Sequence, residues 1–535
     1  SMSLIAAAPL VEAVLKGANG SSLTVPLGSF ANLKKDDVLE LDYALPLARL
    51  GEGEVAVEFL AGGKPIAGFR GVKSDPVKMQ AARLAGAIER YGRLKQEFAA
   101  FYGEKAPSAY VSIPLAVLGD MLPQLNGWMT AAAGKRGAEA LCVTRLEMVM
   151  PCVEESLDGL EKLLGELKAG RRLPETWRYV SGPVELRDGW SYAELESSTG
   201  KRETRPAMFD GYGHFTNMRS SLDRFADYGA NIIQLELGPS HLYPKEGAAQ
   251  EFEADFSGFE KDRVPLVERC WEDNLQLCFL ISPHYAPGWW LAKHPEVKAS
   301  SGFQKYNILR PEAREMMAAH IRDLLARLRK LPHPEVIHSI CLQNEPIYAA
   351  DWNDAFTRGR FEAYLKEKYG SADKFNLSAG LSDKAVNAAW IEFRKQVMSD
   401  WNAFLASEVR KAWPGIPVHS KIMIMNSTFS DHGIDPEAFA LVSDYNGNDN
   451  YGNYMEGGYA SDWVGFALGS ELQFSMRPNS LVNAENHIIR DSEKRPIPNT
   501  QVYVANFLQH LTGASALVTW VWNIYPPEQE SKVDP

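Results

Sequence analysis

The chain has 535 residues, 45% of them hydrophobic and 23% charged, enough apolar material for a large core beneath an ordinary hydrated surface. The net charge of −12 argues against a nucleic-acid partner, because phosphate binding requires clustered Lys and Arg. No apolar run approaches the eighteen or so residues that span a bilayer, and the five cysteines show neither CxxC spacing nor a His-rich partner segment, so no metal site and no disulfide framework is expected.

The opening Ser1-Met2 reads as a cloning remnant, which leaves a removed signal segment open and the compartment undetermined, cytoplasmic or exported. Residues 1–75 read as a small β unit. Leu39, Leu41 and Tyr43 alternate with Glu40 and Asp42, and Val55, Val57 and Phe59 with Ala56 and Glu58. That two-residue period belongs to strands with one buried face. Residues 76–200 read as mainly helical. Residues 77–102 form one helix, and Leu157, Leu160, Leu164 and Leu167 stripe another after Pro151 interrupts the preceding segment.

From 201 to 535 strand and helix alternate. Strands are expected at Pro206–Tyr212, Asn231–Leu237, Leu275–Ser282, Val336–Asn344, Pro417–Met425, Leu441–Gly447, Ser480–Asn486 and Ala516–Asn523. Met317, Ile321, Leu324, Leu325 and Leu328 give a 3.6-residue stripe in a segment opened by Pro311. Eight strands joined by helices imply an α/β fold, a (β/α)₈ TIM barrel. No glycine-rich phosphate loop follows any strand, which removes the nucleotide-binding forms of an open doubly wound sheet. Pro535 follows the eighth strand closely, so either the native chain continues to supply the eighth barrel helix or an earlier segment, such as the helices before residue 200, covers that wall.

In such a barrel, side chains at the C-terminal strand ends point into the active site. The fourth strand ends in Gln343-Asn344-Glu345-Pro346 and the seventh in Asn483-Ala484-Glu485-Asn486-His487. A charge ending an apolar strand is unfavourable unless it meets a polar pocket. Two carboxylates across a barrel mouth are what glycosidic cleavage requires: one protonates the leaving oxygen while the other attacks the anomeric carbon. A lone glutamate at a strand end is more often a rim ion-pair partner, and it is the two together, on strands four and seven, that favour catalysis. The Asn344 amide beside Glu345 suits a sugar 2-hydroxyl, whose bonds strengthen in the transition state.

These residues resemble clan A glycoside hydrolases, and most closely the family 42 β-galactosidases. Gly229-Ala230-Asn231-Ile232-Ile233-Gln234 is similar to that family's second strand. Ser282-Pro283-His284-Tyr285-Ala286-Pro287-Gly288-Trp289-Trp290-Leu291, followed by His294-Pro295-Glu296-Val297, is similar to its third strand and loop. His333-Pro334-Glu335-Val336-Ile337 leading to Gln343-Asn344-Glu345, the insertion from Phe361 to Trp390, and Asp449-Asn450-Tyr451 follow in the family's order. The resemblance covers about 205–523. It implies a retaining hydrolase of β-glycosidic bonds with Glu345 as acid/base, Glu485 as nucleophile and no cofactor. It further implies that Tyr451 contacts the nucleophile. Gln234 and Glu236 stand where the clan usually has an arginine, a four-cysteine zinc cluster is absent, and about two hundred residues precede the barrel.

Other candidates for sugar contact are Trp520 and Trp522, whose alternate spacing places both on one face, together with Trp289, His284, His487 and Asp449. Aromatic platforms stack on a pyranose face, although each of these residues serves equally well in packing. The partner is a carbohydrate, with homo-oligomerisation left open. An endo-acting polysaccharide hydrolase of the same clan, or a catalytically silent carbohydrate-binding barrel, remain as alternatives.

Overall fold

The computed structural model describes residues 10–17, 20–29, 53–73, 75–213, 216–219, 221–299, 304–348, 350–423, 432–450, 459–487, 499–520 and 522. The chain divides into two compact units, one of residues 1–92 and 121–154 and one of residues 93–120 and 155–535.

The first unit holds an antiparallel sheet of β1 (Leu10–Gly17), β2 (Ser22–Ser29), β3 (Gly53–Ala61) and β4 (Lys64–Lys73), in the order β2-β1-β3-β4. Its alternation is the one read from the sequence: Val55 and Val57 are buried with Val11, Ala13, Leu15 and Leu27 on one face. The run from Leu39 to Tyr43 lies outside the described residues. Three long helices follow, α1 (Pro76–Tyr102), α2 (Ala109–Ala132) and α3 (Arg136–Lys168), each contributing residues to both units. Helix α3 continues past Pro151, so the interruption expected there does not occur. The packed stripe of Leu146, Met150, Val153, Leu157 and Leu160, all buried, outweighs the backbone bond that proline removes.

Helical structure ends at Lys168. Within the second unit, β5 (Trp177–Tyr179), β6 (Glu185–Arg187), β7 (Trp190–Ser197) and β8 (Arg202–Pro206) form a small antiparallel sheet, inside the stretch read as mainly helical. It seals the N-terminal end of the barrel. Tyr179 packs edge-on against Phe209, and the Ser191 and Tyr445 hydroxyls lie 2.9 Å apart.

The barrel strands are β9 (Phe209–Gly213), β10 (Ile232–Glu236), β11 (Gln276–Leu280), β12 (Ile337–Asn344), β13 (Val418–Lys421), β14 (Asn446–Asn448), β15 (Leu481–Asn486) and β16 (Ala514–Thr519). All pair in parallel in the order β13-β12-β11-β10-β9-β16-β15-β14, and a parallel bridge from Ile422 to Asn448 joins the two ends into a closed ring. Strand β11 is buried at every position, as a strand covered on both faces must be. Phe209, Ile232, Cys278, Cys341, Val482 and Ala516 fill the interior.

The principal barrel helices are α4 (Val264–Glu272), α5 (Pro311–Leu328), α6 (Ala355–Tyr369), α7 (Lys384–Ala412), α8 (Pro436–Val442), α9 (Tyr459–Met476) and α10 (Asn499–Leu511). The expected strand from Leu441 begins late, at Asn446, because Leu441 and Val442 end α8. Asp435 accepts bonds from the Glu437 and Ala438 amides and Pro436 occupies the first turn, a strong local start signal. In the second unit, Asp120 of α2 accepts bonds of 2.7 Å from Arg224 Nε and the Tyr228 hydroxyl, so this earlier helix lies against the connection after β9.

Barrel closure depends on Gly447, where an added Cβ would overlap the Ser420 carbonyl of β13. Gly447→Ala is therefore expected to lower the unfolding free energy by ~1–3 kcal/mol in urea denaturation, a typical overpacking penalty. An unchanged midpoint would show that the β13–β14 seam is loose.

Candidate active site

Strand β12 stays buried up to Gln343, and after Asn344 the chain turns sharply. Glu345 has φ +40°, a left-handed conformation that non-glycine residues rarely adopt. Strain of this kind persists where the surroundings over-determine it, and it commonly marks functional positions. It turns Glu345, half-buried, out of the strand at the barrel's C-terminal end.

Glu485 lies almost at the end of β15 and is buried, its side chain 9% exposed. Its partner is Lys421, the last residue of β13, whose side chain is wholly buried. Lys421 Nζ donates to Glu485 Oε2 at 2.7 Å and to Asn344 Oδ1 at 2.8 Å. An ammonium has no acceptor, so the contact fixes the Asn344 amide with its oxygen toward Lys421 and its NH₂ left to donate elsewhere. Burial is the largest influence on Lys421 and opposes its charge, yet Glu485, Cys341 and Asp449 together hold the ammonium above its ordinary value.

Asp449 and His487 complete the cluster. His487 Nε2 lies 3.2 Å from Glu485 Oε1 and 3.6 Å from Asp449 Oδ1. Burial, then the Glu485 carboxylate, push the Asp449 carboxyl well above the usual carboxylate range; Lys421 works against this, while Glu345 adds to it. Asp449 therefore holds its proton more tightly than an ordinary carboxylate, under the influence of both glutamates. Asp449, Glu485 and His487 come close enough together to hold a cation, and the cation lying against Glu485 is the Lys421 ammonium.

Trp520 stacks on His487, with ring centres 4.9 Å apart and planes 23° from parallel. Trp522 has different surroundings, packing on Tyr212, Phe225 and Tyr228. Strand β16 stops at Thr519, so strand alternation does not carry the two indoles to one face. Trp289 donates from Nε1 to the Tyr243 carbonyl at 2.9 Å and tilts against Phe252, a packing position. His284 is buried beside Tyr285. Tyr451 lies outside the described residues. Asn483 accepts a long 3.4 Å bond from the Glu485 amide, whereas Asn486 is engaged by Gln509 and Asn506 of α10.

The structure therefore brings together Glu345, Asn344, Glu485, His487, Asp449 and Trp520. It adds Lys421, which the sequence reading passed over inside the run Pro417–Met425. A lysine ending an otherwise buried strand was the available signal, since lysine is almost never fully buried unless paired.

The eight strands make a closed parallel (β/α)₈ barrel, with glutamates at the ends of its fourth and seventh strands. The fold is similar to that of an exo-carrageenase of family GH42 from Bacteroides ovatus, with a TM-score of 0.66 and 18% identity over 83% of this chain and 65% of that one. β-Galactosidases from Bacillus circulans sp. alkalophilus and from the Antarctic haloarchaeon Halorubrum lacusprofundi align at a TM-score of 0.48 and 15% identity, over 59% of this chain and 50% and 53% of theirs. The chain spans 65% of the carrageenase and about half of these galactosidases. No protein-family model and no curated protein matches the sequence.

The raised Asp449 predicts a pH signature. Its stabilising contribution is present below the unfolded value of about 3.9 and is lost as pH rises toward the higher folded value, because the unfolded chain ionises first. Asp449→Asn removes that loss, so the stability of this variant relative to wild type should improve between pH 4 and pH 8 in denaturant titrations. A difference independent of pH would mean that Asp449 is ionised in the folded protein.

Proposed function

We propose that the protein is a retaining glycoside hydrolase that cleaves β-glycosidic bonds by double displacement, with a β-galactoside as the leading substrate class. The observation carrying this reading is the asymmetry between the two strand-end glutamates. Glu485 sits against a buried ammonium, the setting of a permanently ionised nucleophile, while Glu345 stands at the rim, the place for a group that exchanges protons.

In the first step Glu345 gives its proton to the glycosidic oxygen as the Glu485 carboxylate attacks the anomeric carbon. The carbon–oxygen bond breaks, the leaving alcohol departs and a glycosyl ester forms on Glu485. In the second step Glu345, now ionised, takes a proton from water, whose oxygen attacks the same carbon and releases Glu485. Two inversions give net retention. The Asn344 NH₂ is available to donate to the sugar 2-hydroxyl, and Trp520, stacked on His487, places an indole close to the nucleophile. The motif order that resembles the family 42 β-galactosidases supports a galactoside as the leading substrate class.

Glu345→Ala and Glu485→Ala should each lower turnover of an aryl β-galactoside by about 10²–10⁴-fold or more. Azide should partly restore both, giving the β-azide with the first and the α-azide with the second. Ordinary activity in either variant, or the same anomer from both, contradicts the assignment. A screen of aryl galactosides, glucosides, mannosides, xylosides, arabinosides and fucosides tests the sugar.

The two indoles should separate by readout. Trp520→Ala is expected to raise KM with little change in melting temperature, whereas Trp522→Ala should cost ~3 kcal/mol of stability with KM unchanged. Reversed effects would reassign the platform.

A further inference from the structure

The mouth of the barrel collects Glu345 after β12, Lys421 ending β13, Asp449 after β14, and Glu485 and His487 at the end of β15. Asp449 and Glu485 are buried side by side, with the half-buried Glu345 close by, and two buried like charges at short range do not ionise together. Something must decide which of them carries the negative charge. A buried ammonium does so by contact, since opposite charges attract far more strongly where water is excluded.

Lys421 is placed to make that choice. It is flanked by His419, which burial first and then His338 and Lys421 pull down to about 3, so this neighbouring imidazole is neutral. The barrel interior below it is apolar or uncharged, with Cys278 and Cys341 as buried thiols. The carboxylate that Lys421 meets at 2.7 Å is Glu485, while its second bond reaches Asn344, the residue before Glu345. Asn344 and Lys421 are also register partners across the β12–β13 seam, so the ammonium is anchored to the strand that presents the other glutamate. One side chain thus ties the two strand ends together.

We propose that Lys421 is the positioning residue that selects Glu485, out of three neighbouring carboxylates, as the ionised nucleophile, and that holds it in register with Glu345 through Asn344. This deepens the reading given above and rests on Glu485 acting as the nucleophile. Lys421 neither touches the sugar nor exchanges protons in the cycle. Its charge leaves Glu485 deprotonated, and the displaced proton resides on Asp449, which has burial and two carboxylate neighbours to retain it.

The test compares wild type, Lys421→Met and Lys421→Arg by the pH dependence of kcat/KM on an aryl β-galactoside, or on whichever aryl β-glycoside the wild type hydrolyses. Circular dichroism checks that each variant is folded. Loss of the cation lets Glu485 hold its proton to higher pH, so the acid limb of the Lys421→Met profile should move up by about 1–3 units. Lys421→Arg keeps a charge of different shape, so its rate should fall while its acid limb stays near the wild-type position. An unmoved limb in folded Lys421→Met overturns the proposal. If Lys421→Met does not fold, an acid limb displaced upward in Lys421→Arg, despite the retained charge, overturns it equally. Azide failing to rescue Glu485→Ala would remove the nucleophile assignment and this inference together, whereas rescue combined with an unmoved limb removes Lys421 alone.

Discussion

The contact between the Lys421 ammonium and the Glu485 carboxylate is the interaction around which the mouth of the barrel is arranged. Either charge alone, at that depth, would be unfavourable enough to change its protonation state. Together they form a pair whose partners are both required, and removing one leaves the other stranded. The pair also sets its surroundings. Asn344 is oriented by it, and His487 lies within reach of both Glu485 and Asp449, whose proton affinity burial and the Glu485 carboxylate raise.

The fold supplies what such a pair needs. A parallel barrel brings strand ends from distant parts of the chain to one rim, so that residues 345, 421, 449 and 485 share a site although 140 positions separate the outermost two. Rigidity comes from the layers behind it. Gln343 and Ser420 both donate to Asn402 of α7, and Asn483 and Asn486 are tied to α10 through Gln509. These bonds lock the strands from the helix side and leave the interior face to the charged groups. The opposite end is closed by the small sheet of β5–β8, where Tyr179 and Ser191 reach the barrel floor.

Much of this was legible from the chain alone, because the signals were local. Near-continuous apolar runs marked the buried strands, and six of the named site residues fall at strand ends that meet. Where the reading failed, a competing local signal or a tertiary contact had decided the outcome. Leu441 and Val442 look like a strand until the Asp435 cap and Pro436 are weighed as a helix start. Pro151 looks like a break until the helix face packed on either side of it is seen. Trp522 looks like the companion of Trp520 until the strand is found to end at Thr519, freeing the indole to join Tyr212 and Phe225. Lys421 was missed for a different reason. Its significance lies in partners 77 and 64 residues away, and no window along the sequence contains them.

The account stands on Glu485 being the atom donor to a covalent intermediate. A 2,4-dinitrophenyl 2-deoxy-2-fluoro β-glycoside of the preferred sugar slows both steps through its fluorine while its activated leaving group keeps the first step the faster, so the intermediate accumulates and can be located by peptide mass spectrometry. One sugar per chain, on the peptide containing Glu485, is the result expected. A label on Asp449 or Glu345, or steady turnover of the parent substrate by an enzyme that never takes up the label, would contradict it.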